Sequence, residues 1–227
     1  MKKLLALVLT FPMMFMFASC GEKKTKIDGG IAGGWTLNTE TDISGIDESI
    51  YTLFEAAAEK SEKEIYPVFY FGSRAHNGAE YAFLCVETDE DDTMSLAVAF
   101  VSLAPDADPE ITKIRAVTLS EMTSLASEFD FGDGEWELNT SAAKGEFPEL
   151  VKAACDKAFA GQSEYVYTPI SYLGSQVVAG QNFLTICKVS RTGDAADTLA
   201  LVTVFAGLDG NASILRKAGI DIEYFGK

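Results

Sequence analysis

His76 is the only histidine in the chain, and histidine is the side chain best suited to act as a general base near neutral pH. A Ser–His–acid or Cys–His arrangement would have to be built around this one imidazole. His76 falls in a short polar stretch between two predicted strands, where a histidine is typically a surface residue. The sequence therefore predicts that the protein is not an enzyme and uses no cofactor or metal.

The four cysteines are the other candidate nucleophiles. Cys85 and Cys187 lie in predicted strands, on faces shared with aromatic residues, which suits buried hydrophobic side chains better than reactive thiols. A Cys155–Cys187 disulfide between a helix and the sheet is compatible with the pattern and would leave Cys85 unpaired. A metal site would need more ligands nearby than the chain offers.

An acidic run at residues 87–92, Glu-Thr-Asp-Glu-Asp-Asp, carries oxygen ligands of the kind that bind calcium. The run lacks the turn glycine and the ligand spacing of an EF-hand loop. We expect a solvated hairpin turn here rather than a calcium site.

The stretch GSQVVAGQNF, residues 174–183, predicts a hairpin with a mostly apolar tip. Gly180 supplies the positive φ of a tight turn, while Val177 and Val178 favour extended backbone. An exposed apolar tip suits contact with a protein partner. The alternative is an ordinary hairpin with a few exposed apolar side chains, which are common on protein surfaces.

An internal repeat divides the chain into two units of about a hundred residues. Residues 67–85 align with residues 169–187 at one offset, and the segment around Trp35 aligns with that around Trp136 with the offset changed by a single residue. We expect domains at residues 33–127 and 128–227, each large enough for a small core and able to fold alone. The matched residues are Pro67 with Pro169, Tyr70 with Tyr172, Gly72 with Gly174, Ser73 with Ser175, Gly78 with Gly180, and Cys85 with Cys187.

Each repeat predicts one amphipathic helix followed by a run of antiparallel strands, which is an α+β unit. The strands are predicted at 66–74, 79–87 and 94–103, and at 165–178, 181–190 and 198–206, with weaker last strands near 111–118 and 214–224. The apolar residues at helical spacing should face the sheet. They are Ile46, Ile50, Leu53, Phe54 and Ala57 in the first repeat and Phe147, Leu150, Val151, Ala154 and Ala158 in the second.

Residues 1–19 have the basic start and apolar run of a secretory signal peptide. The small residues before Cys20 resemble a bacterial lipobox, which implies cleavage before Cys20, lipidation of that cysteine, and a tether at residues 20–32. We expect a protein anchored in the bacterial cell envelope, facing outward or into the periplasm. The alternative is a plain secretory peptide that happens to end near a cysteine.

The charge of the chain argues against nucleic acid as a partner. Removal of residues 1–19 takes away two lysines, so 18 − 2 = 16 basic side chains face 34 acidic ones, a formal charge of −18. Phosphate backbones are recognised by clustered lysine and arginine and would repel this surface.

The sequence resembles the cystatin family of papain-type cysteine peptidase inhibitors. The resemblance rests on GGW at residues 33–35, the single helix, and QVVAG at residues 176–180 followed by Asn182-Phe183. It implies two tandem cystatin-like domains, each a helix packed on an antiparallel sheet. It also implies a wedge that fills the active-site cleft of a papain-like peptidase without a chemical step.

The resemblance assigns peptidase-binding roles to segments of the second repeat, and it gives the glycines of Gly29–Gly34 in the first repeat the same role in an arm. Gln176 and Gly180 would frame the first hairpin, and Val177, Val178 and Ala179 would supply its contact surface. Gly132 and Gly134 would let the preceding arm enter the cleft, and Gly207-Leu208 would form the second hairpin turn.

Two departures from the family pattern bear on function. The second hairpin of the family often carries Pro-Trp, but the only tryptophans here are Trp35 and Trp136. In the first repeat the hairpin motif is replaced by a polar tip, which suggests a non-inhibitory spacer. The leading hypothesis is a lipid-anchored inhibitor, and the alternative is a non-inhibitory cell-surface binding module that uses the same fold.

Overall fold

The structure, a computed structural model, describes residues 34–39, 46–124, 134–142, 145–191, 193 and 196–227. These residues form two five-stranded antiparallel sheets, one from each repeat. The α+β class and the two-unit arrangement of strands predicted from the sequence are confirmed at this level. No helix in the described ranges is long and apolar enough to cross a membrane.

The first sheet has the strand order β1-β2-β3-β4-β5 and carries one long helix. Its elements are β1 (Thr36–Leu37), α1 (Glu48–Ala58), β2 (Glu64–Ala75), β3 (Ala79–Thr88), β4 (Met94–Leu103) and β5 (Glu110–Val117), followed by the short helix α2 (Leu119–Ser124).

The second sheet repeats this topology with the order β6-β7-β8-β9-β10. Its elements are β6 (Trp136–Leu138), α3 (Glu149–Phe159), β7 (Tyr165–Val178), β8 (Gly180–Arg191), β9 (Thr198–Gly207) and β10 (Ala212–Gly219), followed by the short helix α4 (Ile222–Gly226). The predicted last strand at 214–224 is therefore too long, because the chain turns at residue 220 into a helix that Asp221 caps by accepting a hydrogen bond from the backbone N–H of Glu223.

The repeated tryptophan segments have the same structural role in both sheets. The side chains of Asn38 and Asn139 each donate to a backbone carbonyl of the next strand, at Tyr70 (3.1 Å) and Tyr172 (2.9 Å). In the second sheet, β7 needs a glycine at position 174 because the backbone of β6 lies very close to it. A Cβ on Gly174 would collide with the carbonyl oxygen of Glu137. These contacts explain why the same residue types recur at a nearly fixed offset.

The long helices cover the outer faces of the sheets, as the amphipathic patterns predict. Phe54 and Ala57 of α1 pack on the first sheet, and Val151, Ala154 and Ala158 of α3 pack on the second. Leu150 is an exception, since 64% of its surface is exposed. It lies one residue before Val151, and about 100° of helical rotation turns it away from the sheet.

The inner faces of the two sheets share one hydrophobic core. The layers follow the order helix, sheet, sheet, helix. The sequence pattern of each repeat predicts a helix on a sheet, but it does not predict that the two sheets pack on each other. The core joins both repeats: Val68, Phe69, Phe71, Leu84, Val86, Val98 and Phe100 from the first, and Ile170, Leu173, Leu184, Ile186, Leu199 and Leu201 from the second.

Each of the two short helices packs against the sheet of the other repeat. Leu119 of α2 lies close to Gly174 of the second sheet, and Arg216 of β10 donates to the carbonyl of Thr123 (2.7 Å). In return, Phe225 of α4 stacks on Phe71 of the first sheet with ring centroids 6.0 Å apart. Each repeat thus contributes its last helix to the sheet of the other.

The domain boundary predicted near residue 127 lies outside the described residues, so the division at 127/128 stays a prediction. The shared core nevertheless bears on the expectation that each repeat folds alone, because separation would expose an apolar sheet face.

Candidate functional site

Three segments of the second repeat lie side by side at one end of its sheet, which we call the hairpin end. They are the arm at Gly134, the first hairpin at residues 176–180, and the β9–β10 turn at residues 207–210. Gly134 lies against the backbone of Val177, and Gly180 pairs with Gly207 across β8 and β9. The segments that the sequence singled out are therefore neighbours in the fold. Gly132 and Cys20 lie outside the described residues.

Apolar side chains are exposed on two of these segments. Val177 is 65% exposed, and Leu208, at the adjacent turn, is 90% exposed. Ala179 at the tip is also exposed, while Val178 is half-buried. The hairpin end presents an apolar surface on a hydrogen-bonded frame, which suits contact with another protein.

Gln176 was predicted to be a peptidase-binding residue at the surface, but its side chain is buried, with only 2% of the residue exposed. Its Nε2 donates to the carbonyl of Gly134 (2.6 Å), and its Oε1 accepts from Nδ2 of Asn182 (2.8 Å). Gln176 therefore links the arm to the hairpin from inside. Asn182 was not predicted as a site residue, although its position in the repeat, matched by the charged Glu80, is a signal that could have found it.

The β9–β10 turn is held by its own hydrogen bonds. The N–H of Gly207 donates to the carbonyl of Asn211 (2.8 Å), and Lys157 of α3 donates to the carbonyl of Gly210 (2.9 Å). The backbone N–H of Asn211, followed by its side-chain amide, lowers the pKa of Asp209. These bonds order the turn that presents Leu208.

The corresponding hairpin of the first repeat is polar at its tip. His76 and Asn77 are exposed, and Asn77 (φ 48°) and Gly78 (φ 114°) make the turn. Behind the tip, Arg74 pairs with Glu80 (2.5 Å) and lies over the ring of Trp35, 4.7 Å from its centroid. This end of the first sheet lacks the exposed valine of the second repeat, in line with the sequence.

The three cysteines that the structure describes, Cys85, Cys155 and Cys187, are buried and free, so they form no Cys155–Cys187 disulfide. Burial raises the pKa of Cys85, and it raises the pKa of Cys155 and of Cys187 to about 12. These thiols stay protonated near neutral pH and are poor nucleophiles. The prediction that Cys85 and Cys187 are buried hydrophobic side chains is confirmed.

The acidic run begins in the last two residues of β3 and continues through the turn between β3 and β4. Asp89 organises it by accepting from the backbone N–H groups of Asp91 (3.0 Å) and Thr93 (2.8 Å). Within the described ranges, no group of three or more potential ligand side chains is placed to hold a metal ion. The turn is thus explained by its own hydrogen bonds.

Gly180 is a position where a side chain should disturb the hairpin end. Its φ is +145°, and an added Cβ would lie 2.5 Å from the carbonyl oxygen of Ala206 and 2.6 Å from the ring of Phe205. We expect Gly180→Ala to lower the free energy of unfolding by about 2–4 kcal/mol, from backbone strain and overpacking. Urea denaturation measures this.

Gly161 provides the matched control, since an added Cβ there meets no atom within 4 Å. Gly161→Ala should change the free energy of unfolding by no more than about 0.5 kcal/mol. Equal effects of the two substitutions would contradict the close packing at Gly180.

Comparison with known proteins does not place the chain in a family. No protein-family model matches the chain, and no curated protein matches it. The class that the structure defines is an α+β protein with two packed antiparallel sheets and an apolar hairpin end.

Proposed function

We propose that this protein is a lipid-anchored, cystatin-like inhibitor of papain-type cysteine peptidases, and that the hairpin end of the second repeat is its wedge. The observation that carries the proposal is the alignment of arm, hairpin and turn at one end of the sheet. Exposed Val177 and Leu208 lie on two adjacent segments of it. The single long helix on each antiparallel sheet agrees with what the cystatin resemblance implies.

The mechanism requires no chemistry from this chain. Burial of Val177 and Leu208 in a peptidase cleft would remove apolar surface from water, about 1.5–3 kcal/mol for each fully buried side chain. The strand ladder and the buried Gln176 hold the tip before binding, so little conformational freedom is lost. A rigid wedge offers the peptidase no bond in a cleavable geometry.

A non-inhibitory binding module is the second candidate, and specific observations favour it. Trp136 lies in β6, packed against the shared core, so it does not supply a tryptophan to the β9–β10 turn, which presents Leu208. The arm at Gly134 also continues back into the first repeat rather than ending freely. A surface of this kind could bind a protein partner without blocking a cleft.

Titration of papain with purified residues 21–227 tests the choice between the two. The inhibitor proposal expects reversible inhibition that is overcome by substrate and saturates at a fixed stoichiometry. Papain that keeps full activity at high concentrations of the folded protein would reject inhibition and favour the binding module.

The membrane anchor is tested separately at Cys20. We expect Cys20→Ser to abolish incorporation of labelled fatty acid and to leave the protein unprocessed or released from the membrane fraction, because the acylated thiol is missing. Metabolic labelling followed by fractionation measures both effects. Cys85→Ser is the control and should keep the label, and label that persists in the Cys20→Ser protein would contradict the lipobox assignment.

A further inference from the structure

A buried polar pair lies at the end of a mostly apolar sheet face, which also carries the buried Thr203 opposite Leu184. Gln176 of β7 and Asn182 of β8 are directly opposite each other, and each is only 2% exposed. Because alternate residues of a strand share a face, Asn182 lies on the same side as Leu184 and Ile186, which belong to the shared core. Two amide side chains therefore occupy positions at the margin of the apolar core.

The pair is not explained by the stability of the core. Oδ1 of Asn182 is buried and has no hydrogen-bond partner among the described residues. An unsatisfied buried acceptor is destabilising, whereas replacing both partners of a buried hydrogen bond by apolar groups of similar shape can be nearly neutral. Two apolar residues would serve the core at least as well.

What the pair does is hold the arm. The strand β6 has three residues, and its ladder with β7 runs only from Trp136 to Leu138. Gln176 donates to the carbonyl of Gly134, two residues before that ladder begins, and Asn182 holds the Gln176 amide in place. The side chains thus extend the attachment of the arm beyond the backbone ladder.

The first repeat uses the same two positions differently. Arg74 and Glu80 replace Gln176 and Asn182, and Arg74 also binds Glu223 of α4 (2.9 Å). In the first repeat the pair therefore contributes to the contact between the repeats. In the second it contributes to the hairpin end.

We propose that Gln176 and Asn182 form a clamp, a pair of positioning residues that fixes the arm at Gly134 against the hairpin tip. The clamp makes the arm and Val177 one preordered surface. The expected effect of the clamp on peptidase binding rests on the proposed function, whereas its expected effect on the order of the arm does not.

Hydrogen exchange of the full chain tests the clamp. In the double variant Gln176→Met, Asn182→Leu, we expect the hydrogen-bonded backbone amides within residues 136–138 to exchange at least tenfold faster than in the parent. The urea midpoint should stay close to that of the parent, since both partners become apolar. Gln181→Met is the matched control on the same hairpin and should leave exchange in the arm unchanged.

Three outcomes would overturn the clamp. One is unchanged exchange in the arm of a folded double variant, and another is a uniform rise that includes the central strands β8 and β9, which would indicate a structural role only. If the double variant does not fold, Asn182→Ala removes the single donor to Gln176 and should speed exchange in the arm several-fold. The absence of that rise would also reject the clamp.

Papain titration separates this inference from the proposed function. If the parent inhibits, the double variant should inhibit about tenfold more weakly, because the loosened arm must be ordered on binding. Equal inhibition by both proteins would reject the binding consequence. A parent that does not inhibit would reject the proposed function, and the exchange data would still decide whether the clamp exists.

Discussion

Replacing Val177 and Val178 together by aspartate is expected to weaken inhibition of papain at least a hundredfold. Val177 is exposed and Val178 is half-buried, and neither belongs to a hydrophobic core cluster, so the variant can fold, but its new carboxylates would enter the cleft without partners. A hundredfold loss corresponds to about 2.8 kcal/mol, less than the usual penalty for desolvating an unpaired charge. Inhibition constants and circular dichroism of the variant and parent measure the effect.

The matched control is Ala75→Asp with His76→Asp at the tip of the first repeat, which is already polar and exposed. This change should alter the inhibition constant by less than about twofold, since rim or non-contact residues contribute little. If the first-repeat change abolishes inhibition and the second-repeat change does not, the assignment of the wedge to the second repeat is wrong.

A fragment of residues 128–227 is expected not to form a stable, cooperatively folded monomer. In the full chain its inner sheet face packs on the first sheet, and its α4 packs on the first repeat rather than on its own. Exposure of each large apolar side chain costs about 1.5–3 kcal/mol. The six inner-face residues together cost on the order of 10 kcal/mol, comparable with the whole stability of a domain. They are Ile170, Leu173, Leu184, Ile186, Leu199 and Leu201.

Mixing this fragment with residues 33–127 provides the control, because the two halves should reassemble into a one-to-one complex that unfolds cooperatively. Size-exclusion chromatography and thermal unfolding distinguish the states. A homodimer of the fragment would agree with the shared core, since a second copy would cover the same face. A monomer that unfolds as cooperatively as the full chain would show instead that the repeats are independent domains, as the repeat pattern alone suggests.

Local structure was predictable because it depends on short-range patterns. The alternation of apolar residues placed the strands, and the matched Gly72 and Gly174 marked positions where one backbone approaches another. The buried state of Cys85 and Cys187 also followed from strand alternation. Leu150 was misplaced, since helical spacing alone left open on which side of α3 the apolar face ends.

At the hairpin end, the turn glycine and the apolar tip of QVVAG could be predicted from the sequence, because turn conformation and side-chain polarity are local properties. The tertiary structure alone decided that Gln176 points inward to hold Gly134, and that the tip has the β9–β10 turn beside it. It also decided that the two sheets bury their inner faces on each other and exchange α2 and α4. These contacts join residues far apart in the chain, and which apolar face meets which depends on the packing of the whole molecule rather than on any one repeat.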